Sequence, residues 1–331
     1  MSGKNKHLSI SVIIPNYNGR HLLENNLPYL VSALNRSGCL YEIIIPDDAS
    51  TDDSVPFLQK NYPDIICIPG THNGGFSKNI NRGIARASMK LVMLLNSDII
   101  PDEDYFEHVL PYFNHQDTFG VMGTIMQANS NHIAEACKFP SASVFKINSF
   151  KDVPFDSANR DIYTLYLSGA NALVERKKLI ALGSFNELFS PFYQEDLDLS
   201  LRAWECGWKC YYEDQAVCHH LVSATIKKHS TRKYIKIIST RNKLQLHYLH
   251  LDGFRLYAWA GILVASLTIR WALGHFFYYK ATGLFIKNFK QIKKYKRDFR
   301  QTAKEQFQFI PFTAIKKSIM QQLHNKPVNN G

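Results

Sequence analysis

The chain has 331 residues, 45% of them hydrophobic and 20% charged, which excludes a disordered, collagen-like or coiled-coil protein. This length allows one large α/β domain with appendages, or two domains. The formal net charge is +11, and residues 276–331 carry 12 Lys or Arg against 2 Asp or Glu, so the body of the chain is nearly neutral and its tail is basic.

The chain's beginning and its cysteines indicate a compartment. Residues 1–7 are polar and lead into an apolar strand without the long apolar core of a secretory signal. The six cysteines are scattered without a CxxC pair, which fits free thiols in a reducing environment. We therefore expect a cytoplasmic protein.

The first hundred residues alternate between strand and helix patterns. Strands are predicted at 8–15, 41–45, 64–68 and 91–95, and helices at 22–34, up to Lys60 and at 76–89. Such alternation is typical of parallel strands joined by right-handed crossovers. The expected fold class is α/β, a doubly wound, mostly parallel sheet with helices on both faces.

The later pattern is less regular. We predict helices at 103–114 and 195–206 and strands at 120–126, 163–174 and 208–212, and leave 127–160 unassigned. From Tyr234 the chain is expected to be helical, with an apolar block at 256–273 followed by the basic tail. The predicted organisation is a catalytic domain at 1–240 and a helical, apolar then basic extension at 241–331.

Polar residues follow each early strand, at 16–18, 47–48, 72–75 and 96–98. In doubly wound sheets ligands bind beyond the carboxyl ends of the strands. Neither GxGxxG nor GxxxxGK[ST] occurs, which argues against a dinucleotide enzyme and a P-loop NTPase.

Two acidic groups at this edge have a chemical and a structural interpretation. Asp98, in an Asn-Ser-Asp triplet after a strand, suits a hard cation that bridges to phosphate oxygens, or is a turn residue. Asp47 could accept hydrogen bonds from a base and a ribose, or form a turn. Asp52 and Asp53 are expected to be structural, with Ser50 and Asp52 capping the next helix.

The Gly-rich segment 73–84 would bring free backbone N–H groups and a helix N-terminus to a phosphate. Lys78 and Arg82 share one helical face and could assist, or the segment is a turn with a solvated basic face. Further along, Glu195, Asp196 and Asp198 open a helix. Acids are favoured at a helix start, but one of the three could act chemically.

These segments, taken in order, resemble glycosyltransferase family 2, the inverting nucleotide-sugar transferases of GT-A type fold with rhamnosyltransferase-like bacterial members. The resemblance covers roughly residues 8–241. It rests on seven ordered pieces: SVIIPNYNG, DDASTD, NGGFSKNINRGI, LLNSD, LSGANALVERKKLIALGSFNE, YQEDLDLSLR with CGW, and VCHH.

The resemblance implies roles for individual residues. Asp47 contacts the nucleotide base, Asp98 holds a Mg²⁺ or Mn²⁺ on the diphosphate, and Asp196 is the catalytic base. The implied nucleotide-binding set is Pro15, Asn16, Asp47, Asn73, Lys78 and Asn96. Glu195 and Asp198 are expected to bind acceptor hydroxyls or to orient the base, and His219 or its neighbour His220 is expected to support the site through another phosphate or metal contact.

The expected reaction moves one sugar, by a single inverting displacement, from a UDP- or dTDP-sugar to a hydroxyl of a glycan or lipid-linked acceptor in cell-surface polysaccharide assembly. The chain has Asp48 where the family commonly has Asn and Ser97 where Pro is frequent. Arg270-Trp271 lacks the Gln of the processive Q-x-x-R-W signature, which predicts non-processive transfer.

The tail has three interpretations. The apolar block with Trp259 and Trp271, followed by basic residues, predicts peripheral attachment to the inner face of the cytoplasmic membrane. It could instead be a packed helical pair with a solvated face. It could also bind nucleic acid, although no RNA- or DNA-binding signature occurs and nucleic acid is not an expected partner. The basic residues of the tail are Lys287, Lys290, Lys293, Lys294, Lys296, Arg297 and Arg300.

One alternative remains for the function of the whole protein. It could be a non-catalytic nucleotide or sugar binding protein of the same fold.

Overall fold

The computed structural model describes residues 8–128, 130, 132–143, 145–151, 161–220 and 231–324. Within them ten strands form one sheet, with the main order β10-β12-β6-β11-β4-β1-β2-β3. The strands of this sheet are β1 (Ser9–Ile13), β2 (Leu40–Pro46), β3 (Ile66–Ile68), β4 (Leu91–Leu95), β5 (Ile99–Pro101), β6 (Thr118–Gln127), β7 (Ile133–Glu135), β10 (Ile162–Tyr163), β11 (Asn171–Glu175) and β12 (Lys209–His220). Two further strands, β8 (Lys138–Pro140) and β9 (Ser149–Lys151), form a separate two-stranded sheet.

Helices pack around this sheet and continue beyond it. They are α1 (Arg20–Ser37), α2 (Ser54–Asn61), α3 (Phe76–Arg86), α4 (Tyr105–Val109), α5 (Arg176–Ala181), α6 (Glu195–Glu205), α7 (Arg232–His250), α8 (Gly253–Ala272), α9 (Phe277–Lys287), α10 (Phe289–Gln306) and α11 (Phe312–His324). Short 3₁₀ helices cover Leu110–Asn114 and Glu187–Phe189.

The sheet is buried on both faces. Strands β3, β2, β1 and β4 are parallel neighbours, and β12 runs parallel to β6. In β1, Val12 joins the buried cluster that contains Leu23 of α1, whereas Ile13 joins the cluster that contains Ile80 of α3. A strand covered on both sides must be apolar at successive positions, which explains the run SVII. The predicted doubly wound sheet is confirmed.

Two strand predictions need correction. The single strand expected over 163–174 is wrong, because it is two strands, β10 and β11, in different parts of the sheet. A turn separates them, with the Asn171 amide donating to Ser168 O at 3.3 Å. Strand β12 continues to His220, well beyond the predicted end at Tyr212. The unassigned stretch contains β7 and β8, and β7 pairs with β6.

The predicted boundary after residue 240 falls inside the continuous helix α7. This helix packs on α6 through a buried network of four charged side chains. His250 lies 3.0 Å from Asp198 and 2.9 Å from Glu205, one carboxylate at each ring nitrogen, and Arg202 Nε donates to Asp198 at 2.8 Å. Because both ring nitrogens face carboxylates, His250 is an imidazolium and the four charges cancel.

The C-terminal helices differ in how they use their side chains. No helix in the described residues is both long and apolar enough to cross a bilayer. On α10, the Lys296 ammonium donates to the carbonyls of Tyr248 and Leu251, each at 2.6 Å, and Arg300 donates to Leu249 O at 3.1 Å. These two cations cap the end of α7 and are not part of a free basic surface, contrary to the sequence-based expectation.

The His250 network predicts a pH-dependent stability. The two neighbouring carboxylates outweigh burial and raise the pKa of His250 to about 9, against about 6.5 for an unperturbed histidine. The stabilisation is complete below pH 6.5 and is lost as the pH rises through 9, an effect of about 3 kcal/mol in the free energy of unfolding.

Urea denaturation of the wild type and His250→Gln between pH 6 and 10 measures this effect. Other groups titrate in both proteins, so the difference between the two carries the result. We expect this difference to be constant below pH 6.5 and to shrink by pH 9.5, and a difference that does not change with pH would contradict the ion network.

Candidate active site

The first two strands end in a buried polar pair. Asn16 and Asp47 face each other in parallel register, and Asn16 Nδ2 donates to Asp47 Oδ2 at 2.8 Å. Ser50 donates to the same carboxylate through its hydroxyl and its backbone amide. Gly19 lies against Asn16, and a Cβ there would come 2.4 Å from Asn16 Oδ1. The pair thus brings together two residues of the predicted nucleotide pocket, and a third, Pro15, directly precedes Asn16 in the chain.

Asp48 joins the third loop to this pair. Its two carboxylate oxygens accept from the amides of Gly74, at 2.8 Å, and Gly75, at 3.0 Å. These N–H groups are occupied, so the expectation that both are free for a phosphate is wrong. Asn73 and Lys78 on either side of the glycines are exposed.

Two other polar residues of this region have structural roles. Arg82 donates to the carbonyls of Asp47, Ile68 and Pro69 and holds the loops after β2 and β3 together. Its guanidinium is therefore not a phosphate ligand, in contrast to the sequence-based suggestion. Asp52 accepts from the amide and hydroxyl of Ser54, the first residue of α2, so its role is structural as expected. The N-cap residue is Asp53, however, and Ser50 binds Asp47 and does not cap the helix.

Asp98 lies beside the end of β12. Strand β5 pairs with β12 so that Ile99 lies opposite His220, and His220 Nε2 is 3.2 Å from Asp98 Oδ2. The hydrogen bond to Asp98 raises the pKa of His220 above its usual value. Successive strand side chains point to opposite faces, so His219 points away from Asp98 and contacts Asp102 at 3.0 Å.

Asp98 and His220 fit a divalent cation. The carboxylate oxygen suits Mg²⁺ or Mn²⁺, and the nitrogen of a neutral imidazole is a common ligand of transition-metal ions. No group of three or more His, Cys, Asp or Glu side chains in the described residues forms a metal cage. An ion held by this pair would therefore keep positions open for oxygen atoms of a bound ligand.

A turn brings the edge of the sheet that carries Asp98 close to α6. The Asn96 amide donates to Ala170 O at 3.2 Å, and the neighbouring Gly169 is so close to α6 that its Cβ would lie 4.0 Å from Asp196 Cβ. The loop before Asp98 and the half-buried Asp196 are thus on the same side of the sheet.

Glu195 and Asp196 are two acids in a water-poor environment. Glu195 is 9% exposed and its Oε2 has no hydrogen-bond partner among the described residues. Burial raises the pKa of Glu195, and the charge of Asp196 raises it further. Burial also raises the pKa of Asp196, whose Oδ1 accepts from the Leu197 amide at 2.7 Å. A carboxylate with a raised pKa is a stronger base, as general base catalysis requires.

Asp198 has a different role from its two neighbours. It is fully buried, bonded to Arg202 and His250, and these cations hold its pKa below the usual value despite burial. It cannot reach an acceptor, so its predicted role as an acceptor ligand is wrong, and only a supporting role through α6 remains.

The loop before α6 is held by α7. Asn242 is fully buried, and its Nδ2 lies 2.7, 2.8 and 2.9 Å from the carbonyl oxygens of Phe189, Phe192 and Tyr193. Tyr193 and Gln194 have positive φ angles of 75° and 76°, a conformation that is strained for residues other than glycine. The Asn242 clamp stabilises this turn and thereby places Glu195 and Asp196.

Neither the Asn242 clamp nor an ion pair close to Asp196 is evident from the sequence. Lys138 of β8 forms an ion pair with Glu135 of β7 at 2.5 Å and lies 6.0 Å from the ring of Tyr166. The charge of Glu135 raises the pKa of Asp196, and that of Lys138 lowers it. Both residues lie in the stretch left unassigned, where short irregular strands give no periodic signal.

The family and sequence comparisons agree with the resemblance. The model of glycosyl transferase family 2 matches residues 11–182, just over half of the chain. The poly-beta-1,6-N-acetyl-D-glucosamine synthase of Staphylococcus aureus is 24% identical over 225 residues, which are 66% of this chain and 51% of that protein. The chain therefore spans about half the length of this curated relative.

Solved structures agree on the fold. GalNAc-T7, crystallised with UDP, GalNAc and Mn²⁺, has a TM-score of 0.66 at 14% identity and covers 98% of this chain and 59% of its own. Residues 1–349 of S. aureus TarS, in complex with UDP-GlcNAc, have a TM-score of 0.55 at 15% identity and cover 95% of this chain and 92% of their own. At such identities the likeness establishes the GT-A-like fold.

The Asn242 clamp predicts a large loss of stability on truncation. Asn242→Ala leaves the buried carbonyls of Phe189 and Phe192 and the part-buried carbonyl of Tyr193 without this donor, and each buried unsatisfied polar group costs about 1–3 kcal/mol. The matched control is Asn61→Ala, an exposed asparagine whose Nδ2 donates to Phe57 O at 2.9 Å.

Chemical denaturation is the measurement. We expect the free energy of unfolding to fall by about 3 kcal/mol or more for Asn242→Ala and by under about 0.5 kcal/mol for the control. Equal effects of the two substitutions would show that Asn242 does not hold the loop.

Proposed function

This chain belongs to glycosyl transferase family 2, and we propose that it transfers a single sugar, with inversion, from a nucleoside-diphosphate sugar to an acceptor hydroxyl in cell-surface polysaccharide assembly. The observation that carries the proposal is the convergence of three groups at one edge of the sheet. They are the pair Asn16 and Asp47, the pair Asp98 and His220, and the half-buried acid Asp196.

The donor is proposed to bind across the carboxyl ends of β1, β2 and β4. Asp47 would accept the imide N–H of a uracil or thymine, since a carboxylate keeps acceptor capacity beyond its bonds to Asn16 and Ser50. Pro15, Asn73, Lys78 and Asn96 would complete the pocket. UDP or dTDP is the proposed carrier, and the uridine nucleotides bound by GalNAc-T7 and TarS support UDP.

Asp98 and His220 are proposed to hold Mg²⁺ or Mn²⁺. When bound, such an ion neutralises charge on the leaving diphosphate as a Lewis acid. The crystals of GalNAc-T7 contain Mn²⁺. Of the two neighbouring histidines, His220 contacts Asp98 and His219 contacts Asp102, so His220 is the proposed histidine ligand.

Asp196 is the proposed base. The acceptor oxygen attacks the anomeric carbon on the face opposite the diphosphate, the hydroxyl proton passes to the Asp196 carboxylate, and the bond from carbon to phosphate oxygen breaks. One such displacement inverts the anomeric centre. Glu195, uncharged while its pKa is raised, could donate a hydrogen bond to the acceptor.

The acceptor is proposed to be a glycan or a lipid-linked saccharide, and the enzyme to act as a peripheral protein on the cytoplasmic face of the cytoplasmic membrane. The exposed apolar residues of α8 and α9 support this location. The capping roles of Lys296 and Arg300 remove two cations from any nucleic-acid surface on the tail.

The proposal predicts nucleotide binding that depends on a metal and on Asp98. UDP, dTDP, GDP and CDP would each be added with Mn²⁺, Mg²⁺ or a chelator, and thermal unfolding followed. A ligand at 100 times its Kd stabilises by about 2.7 kcal/mol, so one nucleotide should raise Tm by several degrees only when a metal is present.

Asp98→Ala should abolish this shift. The matched control is Asp102→Ala, which removes a neighbouring aspartate also bonded to a histidine, at 3.0 Å, and should leave the shift intact. No shift with any nucleotide, or a shift that survives Asp98→Ala with metal present, would contradict the proposed donor site.

A further inference from the structure

The described surface has one concentration of exposed apolar side chains. Of the 16 large hydrophobic residues that are exposed in the described part of the chain, ten lie within 254–286. We call them the hairpin surface: Phe254, Tyr257, Ile262, Val264, Ile269, Trp271, Leu273, Phe276, Tyr279 and Ile286. Monomeric proteins rarely expose apolar patches of this kind unless they bind something.

The hairpin surface results from how α8 packs. Only its first half reaches the core, where Trp259 is buried and stacks on His247 with ring centroids 5.7 Å apart. The helix has 20 residues, and at 1.5 Å per residue its second half extends well beyond this contact. The start of α9 packs against that second half, with the Arg270 guanidinium 3.6 Å from the ring of Tyr278. The exposed residues thus lie along the whole hairpin, from Phe254 at the start of α8 past the tip to Ile286 near the end of α9.

The charges around this surface have one sign. Residues 253–297 contain no Asp or Glu, and their charged residues are all Lys or Arg. Exposed Lys280 and Lys287 lie on the same helix as Tyr279 and Ile286. Two copies joined through this face would bring like charges together, whereas an anionic lipid surface complements them. Trp and Tyr among the apolar residues suit the water–lipid boundary.

We propose that the hairpin surface docks on an anionic lipid bilayer. The tips of α8 and α9 enter the headgroup region, and the flanking lysines lie at the lipid phosphates. This contact uses the apolar block that the sequence indicates, but not all of the residues expected there, because Trp259 is buried and Lys296 and Arg300 bind carbonyls of α7.

Aromatic contacts connect this surface with the active site. Tyr193, 39% exposed in the loop before Asp196, packs on Phe192 with centroids 5.0 Å apart. Phe192 packs on Tyr234 at 6.3 Å, and from the same helix Lys236 lies 5.9 Å from the ring of Phe277 at the start of α9. We infer that a lipid-linked acceptor approaches Asp196 along this side. That step rests on the proposed function, whereas docking itself does not.

Vesicle co-sedimentation tests the docking. The probes are vesicles of phosphatidylcholine alone and vesicles that also contain phosphatidylglycerol. Ile269→Glu/Leu273→Glu places two acids on the hairpin surface, at positions that are each 62% exposed. The control, Leu40→Glu/Ile180→Glu, changes residues that are 69% and 47% exposed elsewhere. None of the four side chains is part of the core, so all variants should fold.

The wild type and the control should bind the anionic vesicles, more weakly at high salt. The hairpin variant should bind them at least roughly 100-fold more weakly. It lacks two apolar side chains that the bilayer would bury, and it carries two negative charges that the anionic lipids repel. Absence of wild-type binding would overturn the proposal. The proposal would also be overturned if the wild type and the control were dimers in solution and the hairpin variant were a monomer, because a second copy would then occupy the hairpin surface.

A nucleotide-dependent Tm shift, measured on the same proteins, separates the two proposals. The hairpin variant should keep the shift that the wild type shows. If neither protein responds to nucleotides but vesicle binding follows the expected pattern, the proposed function fails and the docking surface stands. If nucleotides bind and vesicles do not, the reverse holds.

Discussion

Four charged side chains between α6 and α7 balance one another in a fully buried position, and the active site depends on them. Arg202 also donates to the carbonyls of Leu182 and Ser184, so the network fixes α6 to the chain before it as well as to α7. A buried charge without its partner is strongly destabilising. The network therefore fixes the position of the helix whose first turn carries Asp196, and it makes α7 part of the catalytic unit.

The sequence predicted the alternating strands and helices of the first hundred residues well, because buried parallel strands must be apolar at successive positions. It also predicted which loops meet, since Asn16 and Asp47 follow neighbouring strands. It failed for side chains whose partners are distant in sequence. Nothing near Asp198 indicates His250, 52 residues away, and nothing near Gly74 indicates that Asp48 occupies its amide.

Hydrophobicity and charge were the least informative for the tail. The pattern of the last hundred residues is compatible with a packed helical pair and with a membrane-binding surface, and the structure contains packed helices as well as an exposed apolar surface. Trp259 is buried and Trp271 is exposed, although they belong to one apolar stretch. Similarly, Lys296 caps α7 while Lys293 and Lys294 stay exposed. Only the packing of the helices determines which of two such similar residues is in contact with the rest of the protein and which is exposed.

The central claim is a single displacement assisted by Asp196, and the anomeric form of the released sugar tests it most directly. UDP- and dTDP-sugars would be incubated with the wild type and Asp196→Asn without an acceptor, so that water attacks the anomeric carbon and the nucleoside diphosphate leaves. The freshly formed free sugar would be observed by proton NMR before its anomers equilibrate. The account predicts that the wild type releases the anomer opposite to that of the donor and that Asp196→Asn is at least roughly 100-fold slower. Release of the same anomer as the donor, or an unchanged rate in the variant, would contradict it.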